Sequence, residues 1–464
     1  MATSGSTPAS SSFGTETELR RELGPVSATT VIIGTIIGSG IFAGPAIVAR
    51  YTESSGITLG IWALCGLMAF FGAVCYAELG SMMPRAGGQF TYLREAYSPM
   101  WAFLFGWTSM LVVRPGDMAA IASAFATYAG FFIIQYLPYP EWERRCLGVF
   151  TLLFISYLNY RGIRVGALIQ NLSTFFKMGA LIALVGLGLF LMPDASQLQP
   201  LFPSTMSLTM VGALSLAMVA AFGAYDGWDS STYVAEEIKN PRRNVPLSII
   251  VGLTVATTIY LLVNLAYLWV LSNTGVAQSE RVASDAMQVV LGPIGASLIA
   301  FAVMVSTFGT VNANVMAGTR VCYAMARDRM FFSWAAKVHP TYGTPHSAIM
   351  ILAVVSSLQV LFLGSWEALV ASRTAALWVF YLMNGLGVFI LRRKYPDMPR
   401  PYKTWGYPIT PALFLLSGVG FLCLIVYTDP THSLIGLGIT AAGAVVYSFW
   451  VKRFQVKEEV QGQL

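Results

Sequence analysis

Gly34-Thr35-Ile36-Ile37-Gly38-Ser39-Gly40-Ile41-Phe42 is a small-residue run set inside the first long apolar stretch of the chain. Its composition predicts that a membrane helix unwinds there. Unwinding inside a bilayer frees N–H and C=O groups that lipid cannot satisfy, and it persists only where that backbone lines a cavity or is buried in protein. A second interruption, Phe222-Gly223-Ala224-Tyr225-Asp226-Gly227-Trp228, lies in a later apolar run. Two interrupted segments at matching places in two halves of a chain point to the substrate site of a transporter.

The composition agrees with a membrane setting. Of 464 residues, 56% are hydrophobic and 11% charged, where a soluble protein carries about 25% charged residues. Apolar runs near the roughly 20 residues of a spanning helix recur about twelve times, centred near residues 38, 68, 120, 153, 181, 222, 260, 308, 354, 382, 418 and 442. The expectation is an all-α membrane protein with twelve transmembrane helices.

A net charge of +6 alone would suit a nucleic-acid partner. Its distribution argues instead for lipid and against nucleic acid. With the N-terminus inside, the inner connections and tails hold about 21 Lys and Arg, and the outer side about 5, namely Arg50, Arg144, Arg145, Arg281 and Arg373. Both termini are then cytoplasmic and the protein is multi-pass in the cell membrane. Residues 1–16 are rich in Ser, Thr and Ala with no apolar core, which reads as a disordered tail and not a cleavable signal. Cys65, Cys75, Cys146, Cys322 and Cys423 show neither metal-ligand spacing nor a disulfide framework and read as small buried hydrophobes.

Punctuation along the chain divides it into a cytoplasmic tail (1–18), a first five-helix unit (19–193), a second (194–395), two further helices (396–453) and a C-terminal tail (454–464). Met83-Pro84-Arg85-Ala86-Gly87-Gly88, the external turn Tyr136-Leu137-Pro138-Tyr139-Pro140 and the external stretch 193–207 mark breaks between helices. An odd number of helices per unit makes the second unit enter from the opposite face. The repeats are therefore inverted, and their first members are the two helices that carry the interruptions.

At the first interruption, a half-helix starting near Gly40 offers free amides and a positive dipole end, which suit a carboxylate. Gly38 and Gly40 let a ligand approach the backbone. The carbonyls around Ile36 and Ile37 point the other way and suit an ammonium group. The same holds at 223–227, and a zwitterionic α-amino acid fits between the two. Gly34-x-x-x-Gly38 is also a helix-packing face. Lys177 lies in an apolar stretch, where an ammonium is costly and functional by default. It either neutralises the carbonyl end of a broken helix or snorkels to the interface. Asp226 either selects cationic side chains, orients the unwound segment or bonds freed amides. Tyr225, Trp228 and Trp378 are candidate gates over the substrate, or packing. Arg114 and Asp117 are embedded and pair with polar groups or with each other. Glu236-Glu237 with Lys239-Asn240-Pro241-Arg242-Arg243 reads as an inner-gate charge cluster or as a solvated helix end. No nucleophile–base set, metal-ligand spacing or Walker-type phosphate loop is visible, so neither enzymatic activity nor a cofactor is expected.

Gly34–Phe42, Tyr76-Ala-Glu-Leu-Gly80 with Pro84-Arg-Ala-Gly-Gly88, Arg114-Pro115, Ala224-Tyr-Asp-Gly-Trp228 and Glu236-Glu237 with Asn240-Pro241 together resemble the L-type amino acid transporters. These are the light subunits of heteromeric amino acid transporters, in the amino acid–polyamine–organocation superfamily. The resemblance runs over roughly 19–455. It implies the LeuT-type 5+5 inverted repeat with helices 1 and 6 unwound mid-membrane, and sodium-independent exchange of L-amino acids, neutral ones in this reading. It places Gly38, Ser39 and Gly40 at the substrate carboxylate, and Ile36 with Phe222, Gly223, Ala224, Asp226 and Gly227 around the amino group and pocket. Lys177 matches the lysine that stands where sodium-coupled relatives bind an ion. Two departures matter. Gly223 takes the place of a bulky aromatic gate in several relatives. The link between helices three and four lacks the cysteine by which eukaryotic members bind a heavy chain, which implies a stand-alone, bacterial-type member. A proton-coupled importer of neutral or cationic amino acids and a non-transporting amino acid sensor are the competing expectations.

Overall fold

The computed structural model describes residues 13–14, 17–133, 140–191, 195–202, 208–362 and 366–461. Most of the turn expected at 136–140, residues 193–194 and 203–207 of the stretch 193–207, and parts of both tails lie outside the described residues. The described residues form helices joined by short links: α1 (Pro25–Ile36), α2 (Gly40–Thr52), α3 (Ser55–Met82), α4 (Gln89–Ala96), α5 (Pro99–Thr108), α6 (Arg114–Ile133), α7 (Pro140–Tyr160), α8 (Ile163–Leu191), α9 (Leu208–Tyr225), α10 (Ser230–Tyr233), α11 (Pro241–Gln278), α12 (Val282–Arg327), α13 (His346–Phe362), α14 (Trp366–Lys394), α15 (Ile409–Thr428) and α16 (Pro430–Gln461). Eight helical segments among them are long and apolar enough to cross a membrane, with α1 and α2 counted together. Gly212–Tyr225 and α13 are shorter apolar helices.

The outside of the bundle is apolar. On α8, Leu168, Leu172, Phe175, Phe176 and Ile182 are exposed, and on α7 Phe150, Leu153, Phe154 and Tyr157 are. Contiguous apolar stripes of this kind mark a membrane-facing surface. The inside holds the polar residues: Thr30, Gln170, Thr174, Lys177, Ser306, Thr310, Asn312 and Asn314 are all buried. They bond one another and the backbone, as burial requires. Asn312 Nδ2 donates to Gln170 Oε1 at 3.0 Å and to the Gly166 carbonyl at 2.9 Å, locking α12 to α8.

Local chemistry explains the irregular turns. Pro115 has no amide for the carbonyl four residues back, and its ring crowds that carbonyl. The chain widens into a π turn over Ser109–Val113 between α5 and α6. The freed Leu111 carbonyl accepts from Gln359 Nε2 at 2.8 Å. Such π turns recur at functional sites, and this one precedes Arg114 and Asp117. Glu78, buried on α3, takes Arg392 of α14 through two bonds of 2.9 and 2.6 Å and the Thr404 amide at 2.7 Å. It pins α3 to α14 and to the link beyond.

Candidate functional site

The first apolar helix stops at Ile36 and resumes at Gly40, with Ile37–Ser39 unwound between. The second stops at Tyr225, and a turn through Asp226–Asp229 leads into the single-turn α10. The two breaks touch. A Cβ built on Gly40 would lie 2.7 Å from Ala224 Cα, and one on Gly227, whose φ is +109°, would lie 2.5 Å from Thr35 Cγ2. Glycine is required at both, for space at Gly40 and for space and backbone angle at Gly227.

A cavity of about 440 Å³ sits against these breaks, within the range of small-molecule sites. Ile36, Gly38, Ser39 and Gly40 line it from the first break, and Gly223, Ala224, Asp226 and Gly227 from the second. Thr310 and Asn314 of α12, Arg114 and Asp117 of α6, and Arg373 and Thr374 of α14 complete its floor and walls. It reaches Tyr51 near the end of α2 and Thr428 and Asp429 at the end of α15. Helix starts leave their first amides without an intrahelical acceptor, and α2 starts at this surface.

The remaining candidates stand outside the cavity wall. The Ile37 carbonyl turns away from it and accepts Lys177 Nζ at 2.5 Å. Lys177, buried midway along α8, also lies 3.2 Å from the Gly34 and Ser306 carbonyls and from Thr310 Oγ1. Its ammonium caps the carbonyl end of α1. Tyr225 is fully buried, and its hydroxyl donates to the Trp62 carbonyl at 2.9 Å. Phe222, Trp228 and Trp378 form one aromatic cluster with Tyr381 and Phe421: the Phe222–Trp378 centroids lie 4.8 Å apart and the Trp228–Tyr381 centroids 4.6 Å. Phe222, Trp228, Trp378 and Tyr381 line a narrow cleft behind the cavity with Gly223 and Asp226.

Sequence reading missed three groups. Tyr260 of α11 reaches both breaks, its hydroxyl 2.7 Å from the Ile36 carbonyl and 3.0 Å from that of Ala224. A lone tyrosine in an apolar run carries no signal of this. Ser306, Thr310 and Asn314 recur every four residues in apolar α12, a polar face that periodicity could have revealed. Arg373, counted above with the external charges, lies inside α14 on the cavity wall. It ion-pairs Asp117, which therefore does not depend on Arg114 for a partner, and it lies 3.1 Å from Asp226 Oδ2.

Opposite the cavity mouth, the N-terminal side is closed. Arg320 pairs Glu237 through two bonds of 2.8 Å, both side chains essentially unexposed. Arg327 holds Glu236 at 2.8 Å, and Arg85 approaches it at 3.6 Å. The amides of Glu22 and Leu23 donate to the Glu237 carbonyl at 3.0 and 2.9 Å, and Thr17 Oγ1 donates to Glu236 at 2.9 Å. Arg320 and Arg327 both belong to α12.

Comparison with known proteins places this architecture. A family model described as amino acid permease matches residues 23–449. The human b(0,+)-type amino acid transporter 1 is 35% identical over 89% of this chain and 84% of its own length. The serine/threonine exchanger SteT of Bacillus subtilis (strain 168) is 31% identical over 94% of this chain and 98% of its own. The human cystine/glutamate transporter is also 31% identical, over 94% and 86%. The chain belongs to the amino acid permease family and is a multi-pass membrane transporter, not an enzyme.

Proposed function

We propose that the protein is a sodium-independent exchanger of neutral L-amino acids that works by alternating access around the two breaks. The observation that carries this reading is Lys177 at the carbonyl end of α1. Its fixed ammonium stands against the Gly34, Ile37 and Ser306 carbonyls, a position where a coupling cation would otherwise be held. The amide end at Gly38–Gly40 suits the substrate carboxylate. The carbonyls at Ile36 and the second break suit its ammonium, with Tyr260 holding those two segments in register. Relatives named as exchangers or amino acid transporters support an amino acid cargo.

The same reading has twelve crossings: α1 with α2, α3, α5 with α6, α7, α8, α9 with α10, and then α11 to α16 in turn. Residues 19–193 and 194–395 are its inverted units, each opening with a broken helix, and 396–453 adds two helices. The excess of Lys and Arg on the N-terminal side puts both termini in the cytoplasm. The cavity then opens outward, and the Glu236–Glu237 cluster is a closed inner gate. Aromatic Trp228 and Trp378 would move against the cavity as it occludes. Residues 134–139 contain no cysteine, which supports operation without a disulfide-linked heavy chain.

Proteoliposomes test the reading. Radiolabelled L-amino acid uptake should require unlabelled amino acid inside, persist without sodium and ignore a proton ionophore. Uptake into empty vesicles that the ionophore collapses overturns exchange in favour of proton-driven import. Binding without flux makes the protein a sensor.

A further inference from the structure

Asp117 of α6, Asp226 at the second break and Arg373 of α14 meet on one wall of the cavity. The Arg373 side chain is 11% exposed. One of its nitrogens, Nη1, serves both aspartates, pairing with Asp117 and lying 3.1 Å from Asp226 Oδ2. The other Asp226 oxygen accepts the Tyr381 hydroxyl at 2.6 Å. Arg114, also on the cavity wall, lies 3.4 Å from Asn314 Oδ1 and 4.6 Å from the Tyr233 ring centroid. Where the cavity meets the breaks, two arginines thus balance two aspartates. Off that wall, the buried Asp229 accepts the Tyr233 hydroxyl at 2.6 Å and Gln89 Nε2 at 2.7 Å, and the buried Lys177 adds one opposite charge at the end of α1. Asp429, at the mouth, is occupied by His432 Nδ1 at 2.8 Å.

We propose that Arg373 is a resident counter-cation that makes the cavity select amino acids with uncharged side chains. This rests on the reading of the cavity as an amino acid site. An aspartate in a partly dry cavity is by itself an attractor for a lysine- or arginine-like side chain, because the interaction is weakly screened there. Here the place beside both carboxylates is already taken by a guanidinium tethered to α14. A tethered group competes at high effective concentration. A cationic substrate must displace it or lie beside it, and like charges placed together are a device for rejecting the wrong ligand. Remove Arg373 and the same wall becomes a cation-binding wall.

The test is equilibrium binding to purified protein, which does not depend on transport. Tritiated L-leucine is displaced by L-leucine or by L-arginine, and the ratio of the two inhibition constants is read. Arg373→Met should lower the arginine-to-leucine ratio by about tenfold or more. Arg373→Lys should hold it near the wild-type value, and the double variant Arg373→Met with Asp226→Asn should bring it back towards that value. A ratio unmoved in folded Arg373→Met overturns the role of Arg373 while leaving the site reading intact. If Arg373→Met does not give a monodisperse protein, Asp226→Asn carries the test in the opposite sense. It should lower the L-aspartate-to-leucine ratio about tenfold, and no movement overturns the proposal. Wild-type protein that binds neither leucine nor arginine overturns the site reading and this inference together.

Discussion

At the scale of single residues, Lys177 and the glycines of the breaks do separable things. Lys177 supplies charge. Lys177→Ala removes the ammonium from the carbonyl end of α1, while Ser306 Oγ still donates to the Ile37 carbonyl at 3.2 Å and Thr310 Oγ1 remains 3.0 Å from the Gly34 carbonyl. The fold should therefore survive. Exchange in proteoliposomes should fall about tenfold or more, the scale on which a lost interaction with a buried charge acts. A wild-type initial rate from monodisperse Lys177→Ala protein would sink the cation-surrogate role. Gly40 supplies space. Gly40→Ala drives a Cβ to 2.7 Å from backbone Ala224 Cα, a neighbour that cannot swing aside. Overpacking of this kind costs about 1–3 kcal/mol and should show as a lowered melting temperature. Gly223→Ala is the control for stability, because a Cβ there meets nothing within 4 Å. An equal loss in both variants would show that the contact between the breaks is not what limits Gly40.

At the scale of elements, the breaks are held by helices that do not themselves break. Tyr260 sits on α11 and faces two freed carbonyls, those of Ile36 and Ala224. A hydroxyl has one proton, so it serves one carbonyl at a time; the Ile36 carbonyl also accepts the Gly38 amide at 2.8 Å, so the Ala224 carbonyl is the one that depends on Tyr260. Tyr260→Phe should lower stability by about 1–3 kcal/mol, the cost of one unsatisfied buried acceptor. Thermal unfolding in detergent measures it, and an unchanged midpoint would mean that the carbonyls find other donors. Along α6, the π turn before Pro115 does comparable work. By giving the Leu111 carbonyl to Gln359, it lets Arg114 and Asp117 follow the bulge with their side chains at the cavity.

At the scale of the whole molecule, one side is open to the cavity and the other is sealed by ion pairs and by the N-terminal segment. Breaking a buried pair by removing one partner costs about 3–5 kcal/mol, because it strands the other charge. Glu237→Gln strands Arg320 and should bias the molecule towards a state opened on that side. Cys322, buried two residues beyond Arg320 on α12, is the natural reporter. With Cys65, Cys75, Cys146 and Cys423 replaced by Ser, maleimide labelling of Cys322 should accelerate in Glu237→Gln. Labelling at the wild-type rate would show that the pair does not hold the seal.

The sequence by itself determined the membrane character, the all-helical class and the two places where helices stop. Each of these follows from properties counted along the chain: apolar length, missing charge, and small residues where a spanning helix should continue. It also singled out Lys177, because an ammionium-bearing side chain in an apolar run stands out without any structure. The tertiary structure decided which groups meet. Arg373 counts as an outer charge in the linear distribution, yet the packing of α14 against α6 and the second break turns it onto two aspartates from distant segments. Tyr225, Trp228 and Trp378 looked equivalent as aromatics near the break, and packing sends Tyr225 to Trp62 and the two tryptophans into a cluster behind the cavity. Periodicity specifies the face of one helix. Which face lies opposite it depends on contacts between residues hundreds apart in the chain, and no local pattern encodes those.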